Sequence, residues 1–182
     1  MKVFVAGPRA VNSLSPIVVK RLSGLAEIGM FVLVGDANGV DCLVQQCFVD
    51  LKYRNVIVYA SNGRPRNNVG NWEVRNVSVR EKTNGFDFYT QKDIQMAEDA
   101  DYGFMIWNGE SKGTLNNMIN LVMLNKCILV YFIPDKAFYT LRDTEGLYIL
   151  VNKCGVRTSK LFSNLLSNKH SPRHEQITLE IN

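Results

Sequence analysis

Apolar residues in this chain come in runs of two lengths, and the two lengths alternate. Short β-branched blocks stand at KVFVA (2–6), MFVLVG (30–35), NVIVYA (55–60), YGFMIW (102–107) and CILVYFI (127–133), and each reads as a strand. Longer stretches with helical spacing lie between them. SPIVVKRLSGLAEIG (15–29) has Ser15 at a cap position, Pro16 in the first turn and Gly29 at the stop. Residues 39–52 put Val40, Leu43, Val44, Cys47 and Phe48 on one face. QKDIQMAEDAD (91–101) reads as a short helix, and TLNNMINLVMLNK (114–126) turns Leu115, Met118, Ile119, Val122 and Met123 inward. Strands that are apolar at nearly every position are buried on both faces, as in parallel sheets. Their alternation with helices predicts an α/β fold, a Rossmann-like three-layer sandwich on a mainly parallel five-stranded sheet of order 3-2-1-4-5. Such sheets bind ligands beyond the carboxyl ends of their strands, where the order reverses, which singles out the loops after strands 1, 2 and 4.

Two regions break the pattern. Residues 61–90 form a long polar connection, and a loop of that length inside a compact domain is functional or disordered. Residues 136–182 follow the last strand. Here DTEGLYILVNKCG reads as a helix closed by Gly155 and SKLFSNLLSN as a second, while KHSPRHEQITLEIN reads as a loose or partner-bound tail. The expected organisation is a nucleotide-binding domain over 1–135 and a helical C-terminal extension over 136–182. Leu147, Tyr148, Leu161, Phe162 and Leu165 would either cover that domain or form a homo-oligomer contact.

Composition narrows the class. A hydrophobic content of 46% in 182 residues is enough for a core without disulfides. Cys42, Cys47, Cys127 and Cys154 make no CxxC and no metal-ligand spacing, so a reduced, cytoplasmic setting is expected, with no metal and no cofactor. The apolar start of MKVFVAGP is too short for a signal peptide, and no stretch approaches the ~18 apolar residues of a membrane span. The net charge of +4 sits mainly in the tail: residues 1–150 hold 16 Lys/Arg and 15 Asp/Glu, residues 151–182 hold 5 and 2. That balance gives no continuous basic stripe and argues against nucleic acid as the partner.

Three glycine turns follow strands: AGPRA (6–10), GDANGVD (35–41) and WNGESKGT (107–114). The second and third lead into helices, whose first amides are unpaired and partly positive, so they are candidate phosphate cradles. Ser111 and Thr114 add hydroxyls. Plain strand-to-helix connection is the alternative. Asp36 and Asp41 are either helix caps or acceptors for ribose hydroxyls. Arg9 is placed to pair with a phosphate or to make a surface salt bridge. Arg64, Arg66, Asn67, Asn68 and Trp72 cluster in the long connection, where Trp72 offers a stacking face for a base or packs on the sheet end. Trp107 ends strand 4 as core or pocket wall. The only histidines, His170 and His174, lie in the expected tail, so a histidine-based triad is not expected, and no Walker or HExxH motif occurs.

GDANGVD, PRNNVGNW and MAEDADYGFMIWNGESKGTLNNM together resemble the SLOG superfamily of Rossmann-like proteins over roughly residues 1 to 135. That superfamily includes DNA-processing protein A and the lonely-guy phosphoribohydrolases; the nearest branch is that of small bacterial proteins related to YspA and YpsA. Nucleoside 2-deoxyribosyltransferases are more distantly similar. The resemblance implies a nucleotide or nucleotide-derived small molecule as the partner. It also implies a pocket of Gly7, Arg9, Gly35, Asp36, Gly39, Trp107, Gly113 and Thr114, to which the residue reading adds Asp41, Arg66, Asn67, Trp72, Ser111 and Asn117. One departure matters. The phosphoribohydrolases carry a glutamate in GGxGTxxE, and here GTLNN puts Asn117 in its place. An amide cannot be an anionic nucleophile or base, so N-glycosidic cleavage requires a substitute carboxylate such as Asp36 or Glu110. The expectation is therefore ligand binding, with an N-glycosidic hydrolase or transferase as the alternative and a DNA-processing accessory role behind it.

Overall fold

The computed structural model describes residues 1–79 and 85–170; of the expected loose tail over 169–182, Lys169 and His170 are the end of the last helix, and 171–182 lies outside the described residues. The chain order is β1 (Lys2–Ala6), α1 (Pro16–Glu27), β2 (Phe31–Gly35), α2 (Val40–Asp50), β3 (Val56–Ser61), β4 (Glu73–Val77), α3 (Gly85–Asp99), β5 (Tyr102–Trp107), α4 (Lys112–Met123), β6 (Ile128–Phe132), β7 (Ala137–Leu141), α5 (Thr144–Val151) and α6 (Val156–His170). The sheet runs β4-β3-β2-β1-β5-β6-β7. Its inner five strands are those expected, in the expected order, and all pair in parallel. Two edge strands were not foreseen. β4 lies inside the long polar connection and pairs parallel to β3, from Ile57 opposite Glu73 to Ser61 opposite Val77. β7 turns back antiparallel on β6 through a tight hairpin with Lys136 at φ 50°. Both are short and half exposed, so neither carries the continuous apolar run that marks the central strands.

Side chains alternate across the sheet and build two cores. Val3, Val5, Val32 and Val34 face one layer with Val18 and Leu22 of α1 and Val44 and Phe48 of α2. Phe4, Leu33, Tyr59 and Met105 face the other, with Met96 of α3 and Leu115, Met118 and Ile119 of α4. Each fully buried side chain of this kind contributes about 1.5–3 kcal/mol. Leu147 and Leu150 of α5 and Phe162 and Leu165 of α6 enter this second core, leaving Tyr148 exposed. Helix α4, enclosed by α3, α5 and α6, is consequently buried from Thr114 to Val122, its three asparagines included. The N-terminal helix stops where its glycine allows: Gly29 takes φ 72° and Met30 N–H reaches back to Leu25 O. Among the described residues, no helix is long and apolar enough to cross a membrane.

Candidate functional site

Beyond the carboxyl ends of β1, β2 and β5, where the strand order reverses, lies an open cavity of about 670 Å³. Its walls come from the turn after β1 (Gly7, Pro8, Arg9, Ala10), the turn into α2 (Ala37, Asp41), helix α3 (Thr90, Lys92, Asp93, Met96) and the turn into α4 (Asn108, Glu110 to Thr114, and Asn117). Two glycines let these turns meet. A Cβ on Gly7 would stand 2.8 Å from the Ile106 carbonyl oxygen and 2.7 Å from the Val40 side chain. Gly39, at φ 77°, presses on the Arg9 backbone, whose carbonyl carbon would lie 2.6 Å from an added Cβ.

The turn into α4 is organised by its own polar residues. Asn108 Oδ1 accepts the Glu110 and Ser111 amides, and the Ser111 hydroxyl caps the helix by accepting Thr114 N–H. That leaves the first-turn amides of Lys112 and Gly113 without intrahelical acceptors, beside the cavity. An added Cβ on Gly113 meets nothing within 4 Å, so there is room for a group against that turn. The opening of α2 is less available, because Val40 N–H is already donated to Pro8 O and Ala37 N–H to Asp41 Oδ2.

The cavity floor holds a charge cluster built on one buried lysine. Lys92 Nζ lies 3.1 Å from Asp93 Oδ1 and 3.8 Å from Asp36 Oδ1. Burial alone would lower the Lys92 pKa, but Asp93, Asp41 and Asp36 outweigh it and raise it, so the ammonium stays charged. Burial also pushes the Asp36 carboxyl up. Here the Arg66 hydrogen bonds and the Lys92 charge win, and Asp36 sits below its ordinary value. Asp41 goes the other way. Its burial dominates over Lys92, Asp93 and Asp36 add to the rise, and its pKa reaches about 6. With its amide nitrogen rather than its oxygen set towards the two acceptors it faces, Asn117 donates to Asp93 Oδ2 at 3.3 Å and to Gly113 O at 3.2 Å, which ties α3 to the mouth of α4. Gly35 makes the cluster possible, since an added Cβ would strike the Asp41 carboxylate and stand 2.8 Å from Lys92 Nζ.

Of the residues singled out from sequence, Gly7, Arg9, Asp41, Ser111, Gly113, Thr114 and Asn117 line this one cavity. Gly35 and Gly39 shape it from behind. Asp36 stands back from the wall. Arg66 grips it through Nε at 3.1 Å, the second guanidinium nitrogen at 2.6 Å and its own backbone N–H at 3.1 Å, which saturates the carboxylate expected to meet ribose. Arg66 is thereby a clamp on the 35–39 turn, and so is Asn67, which donates to Asp36 O and Asn38 Oδ1. Trp72 lies elsewhere, beside Tyr53 and Gly70, with Nε1 donating to Tyr53 O at 2.9 Å. It packs the sheet end and stacks on no ligand in this cavity. Trp107 is fully buried against Phe132 in the core. Sequence reasoning missed Lys92 and Asp93. The available signal was Lys92 itself, a charge four residues before Met96 on the buried face of α3.

Compared with known proteins, no protein-family model matches the chain and no curated protein matches its sequence. The fold superposes on DNA processing protein A from Helicobacter pylori, described for its single-stranded DNA binding mode, with a TM-score of 0.58 and 14% identity over 92% of this chain and 81% of that one. A second solved structure, the structural-genomics target TM1055, gives a TM-score of 0.46 and 23% identity over 70% and 71% of the two chains. The first of these establishes a Rossmann-like fold for the chain.

Proposed function

We propose that this is a nucleotide-binding protein of SLOG type, with its ligand in the 670 Å³ cavity. Its phosphate rests on the first turn of α4 between Ser111, Gly113 and Thr114, with Arg9 and Lys112 nearby. The sugar hydroxyls fall to Asp41 and Asp93, which take over the acceptor role expected of Asp36. The observation that carries this reading is the meeting, in a single concavity at the strand-order reversal, of the opening of α4 and a pair of carboxylates. The volume suits a ligand of nucleotide size. The likeness to a single-stranded DNA-binding protein also supports a nucleotide-type ligand. The near-neutral balance of residues 1–150 favours a small molecule over a polymer.

The test is calorimetric titration with the four common ribonucleoside monophosphates, on the native chain and on Gly113→Asp. The new carboxylate has open space and sits in the first turn of α4, where it suits the helix dipole, so the fold is retained. It also occupies the phosphate position, and affinity falls by more than about tenfold. Failure of all four nucleotides to bind at millimolar concentration, or equal affinity in the variant, refutes the reading.

One observation favours a second reading, N-glycosidic cleavage. Asp41 and Asp93 are two carboxylates in one cavity, and Asp41, at about 6, is tuned near neutrality. They would supply what Asn117 lacks. Release of free base from a nucleoside monophosphate, abolished by Asp93→Asn, establishes it; intact nucleotide after long incubation excludes it.

A further inference from the structure

We propose that Asp41 makes the cavity an acid-sensitive site: its ionised carboxylate accepts a sugar hydroxyl of the nucleotide, and a proton taken up there in mild acid lets the ligand go. This rests on the nucleotide reading of that cavity.

Three carboxylates meet Lys92 at the cavity floor, and two of them are well supplied. Asp36, on the turn after β2, takes three hydrogen bonds from Arg66. Lys92 of α3 makes ion pairs with Asp93 at 3.1 Å and with Asp36 at 3.8 Å, and among the described residues it makes none with Asp41. Asp93 also receives the Asn117 amide. Asp41 of α2 has one hydrogen-bond donor among the described residues, Ala37 N–H at 3.2 Å from Oδ2. Yet Asp41 lines the cavity, where a ligand can reach it. The cluster is tight as well: Asp41 Oδ2 and Lys92 Nζ stand 2.4 and 2.8 Å from the point that a Cβ on Gly35 would occupy.

With Asp36 held by Arg66, the other two carboxylates share one ammonium. A proton on Asp41 supplies the missing counter-charge. Burial is the main cause that lifts the Asp41 pKa to about 6; Lys92 opposes the rise, and Asp93 and Asp36 add to it. The exchange therefore falls just below neutrality. Other charged groups face the same space, Arg9 from the turn after β1 and Glu110 and Lys112 from the turn into α4. Ionised, Asp41 offers a hydroxyl a charged acceptor. Protonated, it has one oxygen turned donor and has lost the charge that makes acceptance strong. Ligand binding thus sends the proton to solvent, and the returning proton drives the ligand out.

The test is calorimetric titration of the four ribonucleoside monophosphates at pH 5, 6 and 7, on the native chain and on Asp41→Asn. The asparagine imitates the protonated acid and keeps an oxygen for Ala37 N–H, so the fold is retained. The phosphate of the probe itself titrates near about pH 6, but both proteins meet it alike, so their affinity ratio isolates Asp41. The native chain is expected to bind about tenfold more tightly than the variant at pH 7, and the ratio should shrink below about twofold at pH 5. Repeating the pH 6 titration in two buffers of different ionisation enthalpy counts protons. The native chain should release roughly half a proton more per ligand than the variant. A ratio that is constant with pH, or equal proton release from both proteins, overturns the switch and leaves the nucleotide site standing. Failure of the native chain to bind any of the four at pH 7 overturns both.

Discussion

Replacing Asp41 by asparagine is expected to make the protein more stable at neutral pH. Asp41 is buried, and its carboxyl is raised from 3.8 to about 6. A raised carboxyl means that the native state holds the proton more tightly than the unfolded chain. Its contribution to stability is fully present below pH 3.8 and is lost as pH rises through about 6. At ~1.4 kcal/mol per pH unit, ionised Asp41 costs about 3 kcal/mol at pH 7. Asparagine mimics the protonated form, and its amide oxygen still accepts Ala37 N–H, the bond that Asp41 Oδ2 makes at 3.2 Å. Urea unfolding of the native chain and the variant at pH 4, 5, 6 and 7 measures this directly. With a slope of about 2 kcal/mol per molar, the variant's midpoint should exceed the native one by roughly 1–1.5 M at pH 7. The two curves should converge towards pH 4. A variant less stable at pH 7, or a difference independent of pH, refutes the reasoning. If the prediction holds, a cavity carboxylate is kept charged at the expense of the fold, as is common at functional sites.

Asp36→Ala should behave differently. It leaves Arg66 and Lys92 short of a counter-charge and destabilises by about 2–3 kcal/mol, reduced because Arg66 is partly exposed. Thermal unfolding without ligand reveals it, and an unchanged midpoint counts against the clamp. Gly39→Ala forces a side chain into φ 77° and onto the Arg9 backbone. It should lower stability by roughly 2 kcal/mol or more in chemical denaturation, whereas Gly24→Ala, with open space around it, should not. Trp72→Phe removes the hydrogen bond to Tyr53 O and should cost about 1 kcal/mol of stability while leaving nucleotide affinity unchanged in calorimetry. A lost affinity would return Trp72 to the site.

The amino-acid sequence alone determined the alternation of strands and helices, the five central strands and their order. The strands and helices follow from apolar runs that must be buried on both faces and from helix stripes that must cover them, and the order from the doubly wound arrangement that such alternation suggests. It also marked the three turns that form the cavity, because glycine at a strand end is a local property of the backbone. The edge strands β4 and β7 escaped notice because half-exposed strands need no continuous apolar run. Only the tertiary structure decided which charge meets which. Arg66 comes from the long connection to saturate Asp36, Lys92 arrives from α3 beneath three carboxylates, and α6 turns Arg157 and Lys160 towards the turn at 108–112. Charge pairing depends on distance in space and on burial, and both are set by the packing of elements far apart in the chain.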